Sequence, residues 1–270
     1  MKGLHIYPEF YREINSILDK SLTLEHKAKV QEIISLAMPL LGFLPRTAPN
    51  LTDHGVRHSN NLMGIFDNFS QNLEKLGFTL SKSENYLLII GIWLHDVGIL
   101  ITNETEKNDK HNVNSIKVLE NKAFSMLCEI LGKDVFKCLK YVVKYHMSRT
   151  NLEEVPQHEI IPNVRLRLIC AVFRLVDSCD ITSARTSGVL YNILTENGLL
   201  TDDSLPHWKA HLSIVSAVFQ QRTLVVDCDN KSDGELHTTH LENDLEAINK
   251  IFKAENFPEF QLSVIQSDFS

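Results

Sequence analysis

YLLIIGIWLHDVGIL, residues 86–100, decides how this chain reads. The run from Tyr86 to Leu94 has no polar face, so a helix there must be buried. It is too short to span a bilayer. It runs straight into His95-Asp96, a pair with no place in an apolar core unless something binds it. Imidazole and carboxylate together suit divalent transition metals. The question is whether other such donors reach the same point.

Working outward, apolar residues recur at helical spacing over roughly 10–20, 24–42, 56–76, 112–131, 134–147 and 163–181, with 83–97 at the centre. Start and stop signals accompany them. Thr52 and Asp53 are placed to cap the third helix, Ser81 and Glu84 have capping-box spacing, Pro162 can open the seventh, and Gly98 can end the fourth. Loops are expected at 44–50, 101–109 and 151–162. Near Leu205 the character changes. SIVSAVF (213–219) and RTLVVDC (222–228) read as two antiparallel strands, followed by an amphipathic helix at about 241–255 and a strand, FQLSVIQS, at 260–267. The expected fold is mainly α. A helical domain spans 1–204, with core motifs at 50–190. A small antiparallel sheet of about three strands, with one helix packed on it, spans 205–270.

The 270 residues are 43% hydrophobic and 23% charged, ordinary for a globular core. A net charge of −7 argues against a duplex-binding surface. No secretory leader or membrane partner is read. The five cysteines form no CxxC pair and read as reduced thiols, so a cytoplasmic location is expected.

The donors that could join His95 and Asp96 are His58, His111, His146 and Asp177. Each falls near an expected helix end, where residues can converge on one pole of a bundle. Two ions roughly 3.5–4 Å apart need a bridging carboxylate, and Asp96 is the natural bridge. Asp177 and Asp180 can share a helix face. Asp180 is placed to hold a ligating His or a water. Arg185 is read either as a phosphate clamp or as a structural salt bridge. His54 competes with His58 and is read as a first-turn residue near the site or facing solvent. His207, Trp208, Lys209 and His211 read as a cover over the core or a substrate contact. His237 and His240 read as solvent-facing residues of a turn.

DHGVRHSNNL (53–62), LHDVGI (94–99), HNVNS (111–115), KYHMS (144–148) and RLVDSCDITSAR (174–185) together resemble the HD superfamily of metal-dependent phosphohydrolases. The resemblance implies an HD-domain helical bundle. It makes His58, His95, Asp96 and Asp177 the minimal ligands and adds His111 and His146 for a second ion. The implied cofactor is a divalent metal, two ions drawn from Mn, Fe, Ni, Co, Zn or Mg. The implied activity is a phosphodiesterase acting on a nucleotide or nucleic-acid end, through a metal-activated hydroxide at a dinuclear site. Asp96, Asp180 and Arg185 are its candidate catalytic residues. Alternatives are a one-metal nucleotidase or dNTP triphosphohydrolase, and an HD-fold module that senses nucleotides or binds a partner. The HD-GYP branch carries Lys where this chain has Ile99 and lacks a match for its GYP signature here, which argues against cyclic di-GMP as substrate.

Overall fold

A computed structural model describes residues 8–47, 50–102 and 110–267, with side chains from residue 12. The helices are α1 (Pro8–Ser21), α2 (Leu24–Leu41), α3 (Leu44–Thr47), α4 (Val56–Lys75), α5 (Lys82–Leu94), α6 (His111–Leu119), α7 (Ser125–Leu131), α8 (Lys133–Tyr145), α9 (Leu166–Ser178), α10 (Gly188–Glu196), α11 (Leu205–Ser213) and α12 (Lys231–Ala254). Three strands, β1 (Ile214–Gln220), β2 (Thr223–Cys228) and β3 (Gln261–Gln266), complete the fold.

α5 is the axle of the bundle. Its residues Tyr86 to Leu94 are all buried, as their unbroken apolar character requires. By length and composition the stretch Lys82–Ile101 could cross a membrane, yet most of it lies inside the fold. Its start is fixed by the expected capping box: the Ser81 hydroxyl accepts from the Glu84 N–H, and the Glu84 carboxylate accepts from the Ser81 N–H. The same carboxylate takes a bidentate pair from Arg165 at 2.8 and 2.9 Å, tying the entrance of α5 to that of α9. α2, α8, α9 and α4 pack around α5.

The sheet has order β1-β2-β3 and hangs from α4. The Asn68 side chain accepts from the Phe219 N–H, and the Asn72 side chain takes both the N–H and the carbonyl of Gln221 at the hairpin. Phe69, Phe219 and Phe260 pack ring against ring at 5.1–5.8 Å and join α4 to the sheet. β1 and β2 are antiparallel as expected. β3 pairs parallel to β2, against the all-antiparallel expectation. The reason is the connection: a helix crossing between two strands returns the chain in the same direction, which a hairpin does not.

Other boundaries also differ. The single helix expected over 112–131 is broken into α6, a 3-10 turn at Lys122–Phe124 and α7, because the Asn121 side chain caps the turn. α4 begins after Gly55 without a side-chain cap; the Asp53 carboxylate accepts from the Gly55 N–H instead of capping the helix. α9 begins at Leu166, beyond Pro162. α3 lies in the expected loop at 44–50. α10 and α11 occupy a stretch that carries no readable pattern. Of the loop expected at 101–109, residues 103–109 lie outside the described residues.

Candidate metal centre

Five helix ends deliver the donors to one pole. His58 sits in the first turn of α4, and His95 caps the C-terminus of α5, followed by Asp96. His111 opens α6, His146 caps α8, and Asp177 lies in the last turn of α9. His58, His95, Asp96, His111 and His146 are buried, and the Asp177 side chain is about one-fifth exposed, with a relative area of 20%.

Two sets of donors meet here. In the first, His58 Nε2 lies 3.2 Å from His95 Nε2 and 3.2 Å from Asp177 Oδ1. Asp96 Oδ2 approaches the same two nitrogens at 3.6 and 3.2 Å. In the second, His111 Nε2 lies 2.8 Å from His146 Nε2 and 3.4 Å from Asp96 Oδ1. The two oxygens of Asp96 therefore face different sets. Bonds of about 2.0–2.2 Å to a common ion put adjacent ligand atoms roughly 3 Å apart, and these spacings match.

The outer nitrogens explain why the inner ones are free to ligate. His95 Nδ1 donates to the Ile92 carbonyl at 3.2 Å, and His146 Nδ1 to the Val143 carbonyl at 2.7 Å. His58 Nδ1 donates to Asp180 Oδ2 at 2.6 Å. A carbonyl or carboxylate only accepts, so each Nδ1 holds a proton and, in the neutral ring, each Nε2 presents a lone pair inward. Facing lone pairs repel unless positive charge lies between them. The carboxylates make the same demand: burial opposes charge on His95, yet Asp96 and Asp177 push its pKa up to about 10. Burial and the neighbouring His111 and His95 pull His146 down to about 3, leaving it a neutral donor. A divalent cation meets both conditions, and the residues fit one.

The surroundings hold these donors in place. The Ser115 hydroxyl accepts from the Gly98 N–H and donates to the His95 carbonyl, pinning α6 to the turn after α5. Arg174, fully buried, donates to the carbonyls of Tyr145 and Thr150 and fixes the end of α8 beside His146. Asp244 on α12 accepts from Ser148 at 2.9 Å and Ser178 at 2.7 Å with one oxygen, so it clasps the segments that follow His146 and Asp177.

Asp180 touches neither donor set's inner face. It grips His58 and accepts from Asn61 at 3.2 Å, a positioning role. Asp180→Asn is expected to weaken metal binding by about 10–100-fold, measured by titration against a competing chelator. Wild-type affinity in that variant would remove Asp180 from the site. Arg185 donates from Nε to the Asp53 carbonyl at 3.0 Å and lies 3.6 Å from the Asp180 carboxylate. Its buried Nη2 has no partner among the described residues.

His54 takes the first of its two readings, near the site, and His237 stands elsewhere than expected. His54 lies before α4, with Nδ1 2.8 Å from Asp96 Oδ2, so it belongs to the site rather than to solvent. Gly55 permits this: a Cβ there would come within 2.8 Å of the Leu41 carbonyl, so the chain turns against α2 only with glycine. His237 is buried on α12, which starts ten residues before the expected 241. The buried face there is Gly234, His237, Thr238 and Leu241, helically spaced but mostly polar. The signal available was Asn230, whose side chain caps the helix by accepting from Ser232 and Asp233. His240 is on the same helix and is exposed. A cavity of about 270 Å³ is lined by four of the donors, Asp96, His111, His146 and Asp177, together with Arg185, His211, His237, His240 and Asp244.

A helical bundle that gathers His58, His95-Asp96 and Asp177 at one pole defines an HD-domain protein, a class whose members are usually metal-dependent phosphohydrolases. The family model HD-CE matches residues 48–253, and the chain belongs to that family. No curated protein matches the chain.

Proposed function

We propose that this protein is a metal-dependent phosphohydrolase with two ions, acting as a phosphodiesterase on a nucleotide or nucleic-acid end. The observation that carries the reading is the division of Asp96, with Oδ2 toward His58 and His95 and Oδ1 toward His111. One ion would be held by His58, His95, Asp96 and Asp177, the other by Asp96, His111 and His146. Bound divalent ions supply Lewis-acid charge and lower the pKa of water toward neutrality. The imidazole and carboxylate set suits Mn, Fe, Co, Ni or Zn better than an all-oxygen site would.

The chain's own residues do the rest. Asp180 fixes the His58 ring, and the carbonyls of Ile92 and Val143 fix His95 and His146. Arg185, held by the Asp53 carbonyl, has Nη2 without a partner among the described residues and so available to an anionic substrate. Ile99, where a Lys stands in the HD-GYP pattern, is buried and apolar and offers nothing to a cyclic dinucleotide. The free cysteines support a cytoplasmic location.

Metal counting tests the reading. Wild-type protein loaded with Mn²⁺ should hold two ions per chain and hydrolyse bis(p-nitrophenyl) phosphate. His111→Ala should hold one. A single ion that persists under metal excess would favour the one-metal nucleotidase instead. Tight nucleotide binding with no turnover of any phosphate ester would favour a sensing module.

A further inference from the structure

α11 and α12 bring to the cavity a group of histidines that the chemistry above leaves unused. His211, His237 and His240 line it beside Arg185. The rings of His211 and His237 lie 4.2 Å apart, and His207 stands behind them at 5.5 Å from His237. His211 is tied to the loop before α4 by Nε2, 3.4 Å from the Thr52 hydroxyl. His237 Nε2 donates to the His207 carbonyl at 3.3 Å.

The second observation is Arg185. Its residue is nine-tenths buried, and Nη2 meets no acceptor among the described residues. Leaving such a donor unpaired is costly, more so for a charged group, so a wall built only to close the cavity would not contain it. The carboxylates nearby are engaged: Asp180 serves His58 and Asn61, and Asp244 takes two serine hydroxyls. The charge of Arg185 bears on His54 and His58 on the metal side and on His211 and His237 on the other. Burial and the neighbouring His207 hold the His237 pKa down to about 3, so its ring adds no fixed charge to the wall. An incoming phosphate dianion would meet one guanidinium, and its charge would favour protonation of the imidazoles, which then donate to it. The cavity, about 270 Å³, is scaled to a small molecule rather than a strand.

We propose that His211, His237 and His240, with Arg185, form a subsite for a second phosphate group on a small nucleotide whose first phosphate sits at the metal centre. This rests on reading that centre as a phosphohydrolase site. The test is calorimetric, so it reports binding whether or not the molecule is turned over. Mn²⁺-loaded protein is titrated with thymidine 5′-monophosphate, thymidine 3′,5′-bisphosphate and deoxyribose 5-phosphate at fixed free metal. The bisphosphate should bind about tenfold tighter than the monophosphate, a gap of about 1.4 kcal/mol. In the His211→Gln/His237→Gln protein that ratio should shrink to about twofold or less, and His240→Ala should reduce it in part. The ratio is taken within each protein, so a loss of folded fraction cancels. Equal affinities in the wild type, or a gap that survives the double substitution, would overturn the subsite alone. A double variant that instead loses its preference for thymidine 5′-monophosphate over the sugar phosphate would assign the wall to the base and overturn it too. Binding of none of the three would overturn both the subsite and the phosphohydrolase reading.

Discussion

Asp96→Ala is expected to empty the centre: metal content falls from two ions per chain to near zero, and hydrolysis of bis(p-nitrophenyl) phosphate falls by roughly a thousandfold or more. Asp96 is the residue that the two donor sets share, and each of its oxygens faces a different one. Removing it leaves one set with two imidazoles and no carboxylate and takes from the other one of its two carboxylates. Asp96→Asn separates charge from shape, since the amide keeps one carbonyl oxygen and loses the anion. It should retain the fold and lose most of the metal. Elemental analysis of the purified variants, with circular dichroism to verify folding, reads both outcomes. A folded Asp96→Ala protein with full turnover would sink the proposed mechanism.

Gly98→Ala, two residues further on, should do as much harm by packing alone. A Cβ at Gly98 would lie 2.0 Å from Ser115 N, 2.3 Å from the His111 carbonyl oxygen and 2.5 Å from Asn114 C. All three atoms are backbone, so no side-chain rotation relieves the clash and α6 itself must move. That carries His111 away from Asp96 and breaks the bond between the Gly98 N–H and Ser115. The expected cost is about 3 kcal/mol or more, a fall in unfolding midpoint of roughly 6–10 °C. The ion on the His111 side should be lost first. An unchanged midpoint with two ions still bound would mean that α6 is not seated on this glycine.

Much of this was legible in the chain. Apolar spacing located the principal bundle helices, because each buries one face against α5. Ser81 and Glu84 gave the start of α5, since both halves of a capping box are local. The metal donors were legible because each stands where a helix stops or starts, next to residues that mark the boundary. What was hidden depended on distant partners. The role of His54 is set by Asp96, 42 residues away. Gly98 read as a helix stop, but the helix has already ended at Leu94, and the glycine is needed for the approach of α6. α10 buries none of its residues and so leaves no core pattern to read. The early turns of α12 bury Gly234, His237 and Thr238, a polar face that apolar periodicity passes over. The parallel pairing of β3 follows from the path of α12, which the strand's own residues do not specify.

The clasp that Asp244 places on Ser148 and Ser178 sets an order of events during synthesis. All six metal donors have left the ribosome by the time Asp177 emerges, yet the anchor for the segments after His146 and Asp177 is made 67 residues later. At about 5–20 residues per second, that is an interval of seconds. During it the nascent chain carries a full complement of ligands without the strut that fixes two of them. A ribosome-bound chain stalled before residue 244 should therefore bind metal weakly, and the centre matures only once Asp244 has emerged.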